Sequence, residues 1–250
     1  MVVLITGATA GFGMAMAKRF VANGHKVVAS GRRQDRLNAL GEELGPQCLP
    51  LVLDVTDRAA VESSLRDLPD EFSSIDVLIN NAGGALGLEP AHEVDLDDWD
   101  TMVDTNIKGL MYCTRVVLEG MVERNRGHIV NIGSVAGKFP YPGGNTYGAC
   151  KAFVHQFSLN LRCDLLGTAV RVSNIEPGLC GGTEFSQVRF HGDKNKADEV
   201  YAGTRPLTAE DVTDTVEWIV SRPAHVNINE VQLMPVCQAL GPLAIHRETE

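Results

Sequence analysis

Apolar and polar positions along this chain fall into two alternating kinds of stretch. Short continuous runs rich in Val, Ile and Leu, at 2–6, 26–30, 49–54, 75–80, 128–132, 169–175 and 230–234, read as strands. Apolarity that is continuous rather than alternating marks strands covered on both faces, as in a parallel sheet. Between them, amphipathic stretches predict helices near 11–23, 33–44, 57–67, 97–124 (broken near Asn106), 145–166 and 208–221. The alternation predicts an α/β fold, a doubly wound sheet flanked by helices in one domain spanning 1–250. Two segments leave the pattern. Residues 178–206 carry several glycines and mixed charge with no period. They follow a late strand, which puts them at the carboxyl edge where open α/β sheets bind ligands, so they read as a substrate lid. The tail 236–250 is irregular and is expected to touch a neighbouring subunit.

Charge and composition narrow the function classes. A net charge of −10 with no basic stripe argues against nucleic acid as a partner. No apolar run reaches bilayer length, and the opening Met1–Ile5 run lacks the basic start and cleavage pattern of a secretory signal. The six cysteines are scattered without disulfide or metal-ligand spacing, and His92, His155 and His225 are isolated. Reduced thiols, a cytoplasmic location and no metal are the expectation.

The first strand runs into Thr6-Gly7-Ala8-Thr9-Ala10-Gly11-Phe12-Gly13 and then a helix. Glycines here permit the tight turn, let backbone N–H groups approach a pyrophosphate and let helix pack close to strand. The helix N-terminus adds its partial positive charge. The second strand ends in Ser30-Gly31-Arg32-Arg33, with two arginines and no acid where a free ribose 2′-hydroxyl would be bound. A guanidinium suits a 2′-phosphate, which favours NADP(H) over NAD(H). Asp54 and Val55 end the third strand; Asp54 reads equally as an adenine-edge residue or a helix cap.

Tyr147 and Lys151 are spaced i, i+4, so a helix sets both on one face. An ammonium near a phenol favours phenolate, and a phenol tuned this way exchanges a proton with a carbonyl or alcohol oxygen. Ser134 lies just past the strand 128–132, ready to hold that oxygen. Asn80-Asn81-Ala82-Gly83 ends the fourth strand at the same edge. Asn106 sits where the long helix breaks, its side chain or a freed carbonyl placed to hold water beside Lys151.

With these pieces in order, together with Pro177-Gly178, the sequence resembles the short-chain dehydrogenase/reductase family over essentially its whole length. The resemblance implies a Rossmann-like sheet of seven parallel strands, usually in a homotetramer. It implies a tetrad in which Tyr147 gives or takes the proton, Ser134 binds the oxygen, Lys151 holds the nicotinamide ribose and tunes Tyr147, and Asn106 sustains a proton relay. The cofactor set would be Gly7, Thr9, Ala10, Gly11, Phe12, Gly13, Arg32, Arg33, Asp54, Val55, Asn81, Ala82, Gly83, Tyr147, Lys151, Pro177 and Gly178.

Within the family the chain is similar to bacterial NADP-dependent 3-hydroxy acid dehydrogenases, through Glu176-Pro177-Gly178-Leu179, Gly181-Gly182-Thr183-Glu184-Phe185-Ser186 and Pro223–Asn229 among others. Their substrates include serine, L-allo-threonine and malonic semialdehyde or 3-hydroxypropionate; sulfoacetaldehyde reductases are neighbours. Both groups handle a short chain with an anion near the reacting carbon. Arg189 in the lid is the candidate cation for it, the alternative being a salt bridge or subunit contact. Lys138, Tyr141 and Asn145 are candidate pocket residues beside Ser134 and Tyr147. A non-catalytic NADP(H)-binding regulatory protein is the rival of a different class.

Overall fold

The computed structural model describes residues 1–240, so 241–250 of the expected tail lie outside the described residues. The strands are β1 (Val2–Ile5), β2 (Lys26–Gly31), β3 (Cys48–Val52), β4 (Val77–Asn80), β5 (Gly127–Ile132), β6 (Val170–Pro177) and β7 (Glu230–Leu233). They form one seven-stranded sheet in the order β3-β2-β1-β4-β5-β6-β7, and every adjacent pair is parallel. The order reverses between β1 and β4, which opens a crevice at the carboxyl ends of those two strands.

Helices cover both faces: α1 (Gly11–Ala22), α2 (Gln34–Leu44), α3 (Arg58–Arg66), α4 (Asp70–Ser73), α5 (Leu96–Val103), α6 (Leu110–Glu123), α7 (Asn145–Asp164), α8 (Phe185–Arg189), α9 (Lys194–Glu199) and α10 (Ala209–Val220). The continuous apolar runs have the expected cause. Val3 and Ile5 enter a core with Met16 and Phe20 of α1 and Val216 and Ile219 of α10. Leu4, between them, enters the opposite core with Val61 and Leu65 of α3 and Val117 and Met121 of α6. The long helix expected over 97–124 is indeed broken: a π-helical turn, Asp104–Gly109, separates α5 from α6 and contains Asn106. The lid stretch, which showed no period, holds the two short helices α8 and α9.

One buried group in the sheet makes the fold sensitive to acid. His128 of β5 is 1% exposed, and burial pushes its imidazole down to about 3. Its Nε2 lies 2.8 Å from Ser173 Oγ, which donates its own proton to the Ile228 carbonyl at 2.6 Å. The ring is therefore neutral, with Nε2–H donating to the serine. Because the folded value lies below the ordinary value of about 6.5, the unfolded chain binds this proton first. The stability contributed is full above about pH 6.5 and is lost as pH falls toward 3, at about 1.4 kcal/mol per pH unit. Denaturant unfolding should show about 2 kcal/mol lost to this group between pH 7 and pH 5. His128→Leu should flatten that part of the profile, and an unchanged slope in the variant would refute the assignment.

Candidate active site

The crevice between β1 and β4 is pinned by one hydroxyl and one amide. Thr6 Oγ1 accepts from the backbone N–H groups of Asn81 (3.0 Å) and Ala82 (2.9 Å). Asn81 Nδ2 reaches back to the carbonyls of Thr6 (2.8 Å) and Gly7 (3.2 Å). Gly7 and Gly11 hold φ of +69° and +51°, in the left-handed region that favours glycine. At Gly13 a Cβ would stand 2.3 Å from the Gly7 carbonyl oxygen and 2.7 Å from Asn81 Nδ2. Helix α1 then begins at Ala10 with no side-chain cap, so its first N–H groups face the crevice unsatisfied by their own chain. Phe12 turns its ring into the core beneath.

Arg33 lies over this loop. Its Nε and Nη2 donate to Thr9 Oγ1 at 3.1 and 2.7 Å, and its Nη1 meets Glu184 of the lid at 2.8 Å. Arg36 donates to the other oxygen of the same carboxylate at 2.7 Å. Arg32 is exposed beside them. A cavity of about 620 Å³ runs between this loop and the lid, lined by Thr9, Ala10, Gly11, Arg36, Thr183 and Glu184 among others. Asp54 does not cap a helix: Asp57 caps α3, and Asp54 Oδ1 accepts from the Thr56 N–H (3.0 Å) and hydroxyl (2.8 Å). Val55 is buried and packs on Gly109, where a Cβ would meet it at 2.6 Å.

The four tetrad candidates converge. Tyr147 and Lys151 are both buried on α7. Ser134 sits just past β5; its hydroxyl accepts from the Ala136 N–H at 3.1 Å and points at the Pro177 carbonyl at 3.5 Å. Lys151 Nζ donates to the Ile132 carbonyl at 2.8 Å and lies 5.7 Å from the centre of the Tyr147 ring. Burial pushes the Lys151 ammonium down to about 8. Burial also holds the Tyr147 phenol above its ordinary value, and the nearby Ser134 hydroxyl opposes it. In this state desolvation is the largest influence on the phenol, and the Lys151 ammonium is turned to the Ile132 carbonyl. Gly83 lets the chain pass close to the tetrad, since a Cβ there would stand 2.5 Å from Asn106 Oδ1 and 3.7 Å from Lys151 Nζ.

Asn106 is buried at the π turn with its amide fully occupied. Nδ2 donates to the Gly84 (2.9 Å) and Met102 (2.8 Å) carbonyls, and Oδ1 accepts from the Gly84 N–H at 3.2 Å. Both side-chain N–H groups are thus taken by backbone carbonyls of Gly84 and Met102. Gly178 leaves room for the tail: Gln238 Oε1 accepts from the Leu179 N–H at 2.7 Å and would clash with a Cβ at Gly178.

The substrate candidates divide. Arg189 donates from Nε to the Gly87 carbonyl (3.0 Å) and from Nη2 to the Tyr141 hydroxyl (2.9 Å). Its guanidinium centre lies 5.4 Å from the Tyr141 ring and 5.9 Å from the Tyr147 ring. Asn145 is instead tied into the scaffold, accepting from Trp99 Nε1 (3.1 Å) and the Thr146 N–H (2.7 Å) and donating to the Glu89 carbonyl (3.3 Å). Lys138 leaves the pocket altogether. It pairs with Glu176 at 3.0 Å and with Glu230, and His155 Nδ1 contacts the same two carboxylates at 2.9 and 3.1 Å. Glu176 is fully buried, and the Lys138 ammonium supplies the cation that a buried carboxylate requires.

Sequence reasoning missed Thr6, Arg36, Glu184 and Phe185. Phe185 packs edge-on against Tyr147 with ring centroids 5.8 Å apart. Thr183-Glu184-Phe185-Ser186 was visible as a matching stretch, but no spacing rule pairs a lid glutamate with arginines some 150 positions earlier.

Comparisons with known proteins agree with this geometry. A family model described as short chain dehydrogenase matches residues 1–194. The NADP-dependent 3-hydroxy acid dehydrogenase YdfG of Salmonella typhi is 64% identical over 247 residues, covering 99% of this chain and 100% of that protein. Serine 3-dehydrogenase of Rhizobium radiobacter is 51% identical, covering 99% of this chain and 98% of the other. A solved structure, the closed form of serine dehydrogenase complexed with NADP+, superposes with a TM-score of 0.98 at 61% identity over 99% of this chain and 100% of that one. A crystal structure of serine dehydrogenase from Escherichia coli gives 0.86 at 56% identity over 96% of this chain and 100% of that one.

The packing at Gly13 can be tested without any ligand. Gly13→Ala forces the Gly7 carbonyl and the Asn81 side-chain amide to move, because the added methyl would stand 2.3 Å from the one, a backbone atom, and 2.7 Å from the other. Urea unfolding should show a loss of roughly 2 kcal/mol or more. A change within about 0.5 kcal/mol, the ordinary range for innocuous substitutions, would mean the loop has slack.

Proposed function

The chain belongs to the short-chain dehydrogenase family and is an NADP-dependent dehydrogenase, and from that premise we propose that it interconverts short 3-hydroxy acids and the corresponding 3-oxo acids, which are semialdehydes where the alcohol is primary. The residues present suit the cofactor. An uncapped helix start faces the crevice, and Arg33 held by Thr9 beside exposed Arg32 offers guanidinium donors to a 2′-phosphate. The bound cofactor supplies or accepts a hydride at the nicotinamide C4.

The chain's own groups handle the oxygen and the proton. Ser134 holds the substrate oxygen, and Tyr147 donates its proton to that oxygen in reduction and takes one back in oxidation. Lys151 would hold the ribose of the bound cofactor and would pass protons through water toward Asn106. The closed, apolar surroundings made by Phe185 strengthen each of these interactions by excluding water.

The observation that carries the substrate class is the place of Arg189. Its Nε and Nη2 are engaged, and among the described residues Nη1 remains for an anion within reach of the Tyr147 phenol. A substrate whose carboxylate meets Arg189 presents the carbon two bonds further on to Tyr147, which is the pattern of a 3-hydroxy acid. Serine, L-allo-threonine and 3-hydroxypropionate fit it. A sulfonate as in sulfoacetaldehyde shares the charge and is the alternative to be set against malonic semialdehyde in the same assay. The intact set of Ser134, Tyr147 and Lys151 supports turnover over a purely regulatory role. A single domain, a homotetramer and a cytoplasmic location remain part of this reading; no described helix is long and apolar enough to cross a membrane.

Tyr147→Phe should keep NADPH binding, read by the cofactor's fluorescence, and lose turnover by roughly three orders of magnitude, the scale of a general acid–base contribution. Near-normal turnover would remove the mechanism. Arg189→Ala should raise KM about a hundredfold for anionic substrates, as expected for a lost charge-assisted pair of roughly 3 kcal/mol, and leave neutral aldehydes within about threefold. Equal losses for both would defeat the anion clamp.

A further inference from the structure

We propose that Glu184 is a positioning residue that couples lid closure to the cofactor's 2′-phosphate, by sharing the arginines that recognise that phosphate. The inference rests on NADP(H) being the cofactor and goes beyond it, because it assigns a role to a residue outside the catalytic and cofactor sets. Glu184 stands at the N-cap position of α8, where a side chain ordinarily bonds an N–H of its own helix. It makes no such bond. Its two oxygens instead cross to the start of α2 and take Arg33 and Arg36 at 2.8 and 2.7 Å.

The bridge is well placed to transmit. Thr183, just before it, rests on the phosphate loop, where a Cβ at Gly11 would meet it at 3.3 Å. Phe185, just after it, lies against Tyr147. Arg189, one turn on, reaches Tyr141 and Gly87. One short helix thus joins the phosphate end of the site to the reacting end. The patch stays cationic: Arg32, Arg33 and Arg36 outnumber Asp35 and Glu184, which leaves a net positive charge to meet a 2′-phosphate. Arg33 has donors beyond those given to Thr9 and Glu184, so phosphate and lid can hold it together. A single exposed ion pair would do little, but two guanidinium groups sharing one carboxylate form a network whose geometry the bound phosphate stiffens. This structure superposes at 0.98 on the closed NADP+ complex of serine dehydrogenase, the state in which the bridge would act.

Lid closure can be read without turnover. Lys194 and Lys196 are exposed on α9 of the lid and offer tryptic sites whose cleavage follows the open population. In the wild-type protein saturating NADP+, or adenosine 2′,5′-bisphosphate, should slow cleavage there about tenfold, and saturating NAD+ no more than about twofold. Glu184→Gln, which keeps the shape and removes the charge, and Arg36→Gln, which breaks the other half of the bridge, should each reduce the NADP+ protection to about twofold. Glu184→Gln should still bind NADPH by fluorescence, whereas Arg36→Gln, which also loses a guanidinium near the phosphate, is compared at saturating NADP+; both should raise KM for the hydroxy acid more than they lower kcat. Protection of Glu184→Gln equal to wild type would overturn the proposal, as would equal protection of the wild type by NAD+ and NADP+. Failure of the wild type to bind NADPH would instead overturn the cofactor reading and this proposal with it.

Discussion

The structure depends on keeping a phenol and an ammonium out of water, side by side, at the end of a parallel sheet. Tyr147 and Lys151 are less than a tenth exposed, and each is pushed away from its charged form by that burial. Such a pair is costly unless its polar atoms are answered. Lys151 is answered by the Ile132 carbonyl, and the Ser134 hydroxyl stands near enough to Tyr147 to oppose the effect of burial on the phenol. Those partners sit where they do because β5 ends at Ile132 and the chain turns there under α7. A neutral phenol in a dry site is a proton donor awaiting an oxygen whose charge develops during reaction, and the environment favours the proton-transfer step over idle ionisation.

The fold was legible because its signal is repeated and local. Continuous apolar runs mean strands buried on both faces, and Val3, Leu4 and Ile5 show why: neighbours in sequence enter opposite cores. The placement of the tetrad candidates was legible because Tyr147 and Lys151 are four apart on one helix and because Asn106 marks a visible break. What could not be read was anything set by contact between distant segments. The i, i+4 spacing said that Lys151 neighbours Tyr147 but not that Nζ turns to Ile132. The segment after Ser134 contained three polar candidates, and only folding separated Tyr141, which meets Arg189, from Asn145, tied to Trp99, and Lys138, drawn to Glu176 and Glu230. That last ion cluster joins α7, β6 and β7 and has no sequence signature, because its members lie far apart along the chain.

The lid shows the same limit in its most functional form. Its lack of period marked it as something other than a core helix, and its place after β6 made it a candidate cover. Its meaning lies in two contacts made at either end of α8, Glu184 with Arg33 and Arg36, and Arg189 with Tyr141. Through them a loop with little core of its own is held by charge-assisted bonds to the two ends of the crevice. Such a segment belongs to the low-stability part of a protein, where small energies decide whether a site is open or shut.

The central claim is that one group, Tyr147, carries the proton in both directions. Single-turnover rates of 3-hydroxy acid oxidation and of semialdehyde reduction, measured on one enzyme across pH, test it directly. Oxidation needs the phenol deprotonated and should rise with pH, while reduction needs it protonated and should fall, both turning at one shared apparent pKa. Two profiles moving the same way with pH, or turning at unrelated values, would contradict the account.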